Sequence, residues 1–120
     1  MGLYEQIRKG STSTLILSLL DEGPMYGYQI TQELERRSEG YFEMKEGLLY
    51  PTLHRMEQDG LLQSEWQSVA GSRQRKYYRI TDKGKKVLAD SVAEWQTFIE
   101  QLLGIIGRPR ESEAVMVGGQ

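Results

Sequence analysis

Residues 46–84 read EGLLYPTLHRMEQDGLLQSEWQSVAGSRQRKYYRITDKG, and the hydrophobic period changes inside this stretch. Placed on a helix, Leu49, Leu53 and Met56 are four and then three residues apart, which sets them on one buried stripe. Gly47, Pro51, His54, Arg55 and Gln58 then face outward, with Tyr50 and Thr52 on the flanks. Gly60, having no Cβ, can take the left-handed conformation that closes a helix. Beyond it Leu62, Ser64 and Trp66 alternate with Gln63, Glu65 and Gln67, the period of a strand with one half-buried face. Tyr78 and Ile80 repeat the alternation opposite Tyr77 and Arg79, and the small, polar run 68–74 joins the two strands. Helix, hairpin and basic loop in that order predict a winged helix-turn-helix, within a mainly α (α+β) chain. In that arrangement the helix suits a major groove and the loop suits the flanking backbone or minor groove.

The charge distribution agrees better with this reading than the total does. The 120-residue chain has a formal net charge of −2 and a sequence pI near 5.5, not the profile of a globally basic nucleic-acid binder. Yet from Gly71 to Lys86 seven basic residues (Arg73, Arg75, Lys76, Arg79, Lys83, Lys85, Lys86) face one acid, Asp82. From Asp21 to Glu46 seven acids face three bases, so a positive edge is set on an acidic body.

Upstream, Ser11–Leu20 (STSTLILSLL) predicts a first helix, its hydroxyl residues in the capping turn and Leu15, Ile16, Leu19 and Leu20 at helical spacing. Gly23-Pro24 ends it. A second helix is predicted from Met25-Tyr26-Gly27-Tyr28, with Ile30 and Leu34 inward and Ser38-Glu39-Gly40 as its break. Residues 41–44 then form an extended link into the third helix.

Downstream, Thr81 is the candidate N-cap for a helix running to about Gly107. Leu88, Val92, Trp95, Ile99, Leu102 and Ile106 recur at spacings of four, three, four, three and four, an a/d seam widened by Phe98 and Ile105. A helix of roughly 25 residues is about 37 Å long, more than a three-helix core covers, so the seam predicts a homodimer joined along this helix. The expected organisation is a DNA-binding domain over 1–81, a dimerisation helix over 82–107 and a disordered tail over 108–120.

The chain has no cysteine and one histidine, which leaves no disulfide framework and no Cys/His metal cluster. No Gly-rich phosphate loop, nucleophile elbow or catalytic His/Cys/Asp constellation is present, so neither an enzyme nor a cofactor is expected. No stretch approaches the roughly 18 apolar residues of a membrane span, and the expected location is the cytoplasm.

Taken together, Gly23-Pro24 with Tyr26-Gly27-Tyr28-Gln29-Ile30, Leu48-Leu49-Tyr50-Pro51-Thr52-Leu53, Glu57 through Gly60-Leu61-Leu62, Trp66, and Arg75-Lys76-Tyr77-Tyr78-Arg79-Ile80-Thr81 with Gly84 resemble the PadR-like family of bacterial transcriptional regulators, in its short form with one C-terminal helix. The resemblance covers roughly residues 11–107. It implies a homodimeric repressor on a palindromic operator in double-stranded DNA, in some relatives released by phenolic acids or planar apolar drugs near the dimer interface.

On this reading Arg73, Arg75 and Lys76 meet phosphates from the wing, and Arg55 and His54 reach phosphate or base edges. Tyr50 is placed either for a phosphate hydrogen bond or to fill the groove between helices, and Thr52 offers its methyl or hydroxyl to a base. Trp95, mid-seam, either packs against the partner chain or borders a gap for a small planar aromatic effector. The competing class keeps the winged helix but uses it as a protein-interaction module without DNA specificity.

Overall fold

A computed structural model describes residues 2–68, 70–71 and 73–107 of the chain. The tail expected over 108–120 lies outside the described residues. The order of elements is α1 (Leu3–Leu20), β1 (Met25–Tyr26), α2 (Gly27–Arg37), α3 (Glu46–Gln58), β2 (Leu62–Ser68), β3 (Gln74–Ile80) and α4 (Asp82–Ile106). The chain divides between Ala89 and Asp90 into two compact units, so the first turns of α4 fall in the same unit as the winged helix.

Two elements depart from the sequence reading. Helix α1 starts at Leu3, not at Ser11: Ser11 and Thr12 do not cap it but donate back to the carbonyls of Ile7 (2.8 Å) and Arg8 (2.6 Å) inside it. Turning inward satisfies both hydroxyls locally, so they are buried without loss. Met25 and Tyr26 do not begin α2 but form a two-residue strand that pairs antiparallel with Tyr78 and Tyr77. The sheet is therefore three-stranded, ordered β1-β3-β2. In the hairpin Leu62 pairs with Ile80, Ser64 with Tyr78 and Trp66 with Lys76.

The core of the first unit gathers Ile16, Leu17 and Leu20 from α1, Ile30 and Leu34 from α2, Leu49, Leu53 and Met56 from α3, and Leu62 and Tyr78 from the sheet. Leu88 joins it from the second turn of α4. That corrects the assignment of Leu88 to a dimer seam: it is 9% exposed because it closes the core of its own chain.

The junction between α3 and the hairpin is held at several points. Gly60, at φ +80°, follows the last turn of α3, with its N–H bonded to Glu57 O and the Leu61 N–H to Met56 O, a Schellman closure. Ser64 donates to the Glu57 carboxylate at 2.6 Å. Thr81 caps α4 by accepting from the Gly84 N–H at 3.0 Å while its own hydroxyl donates to Gly60 O at 2.7 Å. One threonine thus ties the start of α4 to the end of α3.

Candidate nucleic-acid interface

Helix α3 presents the outward face its sequence implied. Gly47, Tyr50, Pro51, His54, Arg55 and Gln58 are exposed and Leu49, Leu53 and Met56 are sealed beneath them. Thr52 is the exception. It is 3% exposed and donates to Leu48 O at 2.8 Å, so its side chain offers nothing to a base. At about 100° per residue Thr52 falls beside the buried stripe, on the side covered by α1. The flank assigned to it as a base contact is in fact an interior one.

Tyr50 lies between α3 and the start of α2. Its ring lies over Gly27 at the first turn of α2, where an added Cβ would stand 2.7 Å from Cζ and overlap the hydroxyl. The residue remains 43% exposed, and burial with the nearby Glu46 charge raises its hydroxyl pKa.

Between α3 and the wing runs a cleft of about 720 Å³. Tyr50 and His54 line it from α3, Tyr26 from β1, Gly27 and Tyr28 from the start of α2, and Trp66, Arg73, Arg75, Lys76 and Tyr78 from the hairpin. Trp66 does not sit on a half-buried strand face as its alternation suggested; it is 64% exposed. The reason is reach: Leu62 and Tyr78 lie over the helices, while this end of the hairpin runs past them. The Lys76 ammonium is 5.9 Å from the Trp66 ring centre and 5.6 Å from that of Tyr78, and the Arg75 guanidinium is 4.3 Å from that of Tyr26. Arg73 is exposed. Wing cations and rings are therefore interleaved, a surface that can meet both phosphate and the flat faces of sugar or base. Tyr28 and Trp66 belong to this cleft; both stand in the family pattern, but the sequence reading assigned neither to the interface. The aromatic density of the 26–28 and 66–78 stretches was the available signal.

The electrostatics separate one set of cations from another. The ion pairs among the described residues join Arg36 to Glu33 and Arg37 to Glu33 and Glu22, at 2.6 to 2.9 Å. Hydrogen bonds from Arg36 and Arg37 hold the Glu33 carboxyl down at about 2, and that from Arg37 lowers Glu22. The two arginines of α2 thus pair with Glu33 on the same helix and with Glu22 before it. Arg55, Arg73, Arg75 and Lys76 take part in no ion pair among the described residues, so their charge is open to an external anion.

In the second unit, Phe98, Ile99, Leu102 and Ile106 are all more than 40% exposed, Val92 is 37% exposed, and the Trp95 and Phe98 rings meet edge to face at 5.9 Å.

No helix of the described chain is long and apolar enough to cross a membrane, and no group of three or more His, Cys, Asp or Glu residues is placed to hold a metal ion among the described residues.

A helix with an outward polar face, followed by a cationic antiparallel hairpin, defines the DNA-binding winged helix-turn-helix class. Within that class the transcriptional regulator PadR-like family model matches residues 16–90, and the chain belongs to this family. It is 34% identical over 99 residues to a transcriptional regulator of Mycobacterium tuberculosis, covering 82% of this chain and 89% of that one. It is 28% identical over 85 residues to the negative transcriptional regulator PadR of Bacillus subtilis, covering 71% of this chain and 47% of that protein. The crystal structure of a PadR-family transcriptional regulator from Eggerthella lenta superposes with a TM-score of 0.75 at 36% identity, covering 87% of this chain and 88% of the other. The protein is a transcriptional regulator with a mainly helical winged-helix fold.

Proposed function

We propose that the protein acts as a homodimeric, cytoplasmic repressor that binds a palindromic operator through α3 and the wing. The observation that carries this reading is the exposed α3 face bearing His54 and Arg55, bordered by wing cations that no carboxylate in the described chain neutralises. Arg55 is suited to a bidentate contact with guanine, His54 to a base edge or phosphate, and Arg73 and Lys76 to phosphates. The apolar ridge of Val92, Trp95, Ile99, Leu102 and Ile106 joins two copies, since a helix exposing such side chains is stabilised by its own symmetry mate. A planar apolar or phenolic effector docks at Trp95, whose edge-to-face packing with Phe98 provides a stacking surface.

Footprinting and salt-dependent mobility shift on the DNA upstream of the protein's own gene test this reading. The expected result is protection of two related half-sites with binding that weakens steeply as salt rises. Binding without sequence preference and with little salt slope would instead identify a winged helix that engages proteins.

A further inference from the structure

Helix α3 has a cleft on each side. Opposite the wing, a hollow of about 330 Å³ separates α3 from α1, and it is lined by Arg8, Lys9 and Glu5 on α1 and by Leu48, Pro51 and Arg55 on α3. At about 100° per residue, Tyr50 and His54 lie within roughly 40° of each other on the wing side, Pro51 and Arg55 lie about 100° further round, and Gly47 and Gln58 fall between the two pairs. The ridge that would enter a major groove is thus flanked on both sides, by wing cations on one and by α1 cations on the other.

We propose that Arg8 and Lys9 of α1, beside the base-reading Arg55, hold the phosphate backbone on the side of α3 away from the wing, so that each protomer grips both rails of the groove it reads. This rests on the DNA-binding reading of α3. Charge availability selects the occupant. Neither Arg8 nor Lys9 has an ion-pair partner among the described residues, whereas the two arginines of α2 are fully engaged by Glu33 and Glu22. Three cations from two helices converge on the hollow against one carboxylate, Glu5, and a polyanion running along it would relieve their mutual repulsion. Arg8 is half-buried with its guanidinium 6.0 Å from the Tyr4 ring centre, and Lys9 is exposed. The arginine is oriented before any anion arrives, and the lysine is free to follow the backbone.

The test uses the full chain, a fluorescein-labelled random-sequence duplex and anisotropy titrations over a range of KCl concentrations. Sequence-independent binding isolates the interaction with phosphates. The double variant Arg8→Gln/Lys9→Gln is expected to lower the salt slope by about 1 for each phosphate it no longer neutralises, and to weaken binding about fivefold for each of them near physiological salt. Arg8→Lys/Lys9→Arg keeps the charge and should keep the slope, which a purely structural role for Arg8 would not predict. Glu5→Gln removes the opposing charge and should tighten binding about two- to threefold. An unchanged slope and affinity in Arg8→Gln/Lys9→Gln, beside a reduced slope in Arg73→Gln, would overturn the role of α1 and leave the wing reading standing. A wild-type protein with no salt slope would overturn both.

Discussion

The Arg75 guanidinium stacks on the ring of Tyr26, 4.3 Å from its centre, and so joins the wing strand β3 to β1, the strand that leads into α2. Tyr26 is itself set against Tyr77 edge to face at 5.4 Å, and it pairs with Tyr77 across the sheet. Arg75 thereby braces the hairpin against β1. Replacing Tyr26 by leucine removes the stacking partner without changing any charge. The expected result is a two- to fivefold loss of DNA affinity, the equivalent of about 0.5 to 1 kcal/mol for an exposed cation–π contact, with the salt slope unaltered. Parallel salt titrations of wild type and Tyr26→Leu check this. A lower slope in the variant would show that Tyr26 positions Arg75 for direct phosphate contact.

Gly84, in the first turn of α4, is pressed against the backbone at the entry to β2. A Cβ there would collide with the Leu61 carbonyl oxygen and stand 2.7 Å from Ile80 Cγ1. Leu61 O cannot yield, because it also accepts the Thr81 N–H at 3.0 Å. Gly84→Ala should therefore cost about 1 to 3 kcal/mol, read as a lower urea midpoint. Gly27→Ala is the useful contrast, because its added methyl meets only the far end of the Tyr50 side chain, which can swing into the cleft. Its stability loss should be the smaller of the two. Equal losses would mean that Tyr50 is as immovable as the backbone.

Much of this fold was legible because local and global signals agree. The Leu49–Leu53–Met56 stripe, the Gly60 closure and the Thr81 cap each follow from one rule of spacing or backbone freedom, and nothing in the tertiary structure competes with them. The failures were places where a partner outside the local window decided the outcome. Met25 and Tyr26 are strand only because β3 lies beside them. Thr52 and Leu88 satisfy a periodicity shared by an outer and an inner surface, and only the position of α1 or of the core assigns them. Ser11 and Thr12 read as caps because hydroxyl side chains favour helix starts, yet the same hydroxyls bond equally well to carbonyls one turn back. Of the candidate interface, the cations were visible in sequence. Tyr28 and Trp66 were visible only as parts of the family pattern and not as interface lining, since exposure of large rings runs against the usual pattern.

The apolar ridge of the second unit supports a direct test of assembly. Ile99 and Leu102 are 47% and 41% exposed, and with their neighbours they form a contiguous apolar strip rather than singly scattered side chains. Ile99→Asp places a carboxylate where the proposed two-fold contact requires desolvation, and sedimentation should report monomers. Operator affinity is then expected to fall by about two to four orders of magnitude as bivalency disappears, while far-ultraviolet circular dichroism keeps its helical signal. A dimer that persists in this variant would place the interface elsewhere.

The Glu33 cluster with Arg36 and Arg37 should add a small contribution to the acid limb of stability. Hydrogen bonds from Arg36 and then Arg37 depress the Glu33 pKa from 4.5 to about 2, and Glu22 is lowered by Arg37 in the same direction. Because the folded pKa lies below the unfolded one, the contribution of Glu33 is fully present above pH 4.5 and is lost as pH falls toward 2. Glu33→Gln removes that contribution at neutral pH and has none to lose in acid. The stability difference between wild type and variant should accordingly be constant from neutral pH down to about pH 5, then shrink across the window from 4.5 to 2. The effect should be small, since all three side chains meet solvent and such pairs are screened, and it should diminish further at high salt. Urea unfolding at several pH values, with and without added salt, measures it. A difference that widens on acidification would mean that Glu33 is held by something other than its two arginines.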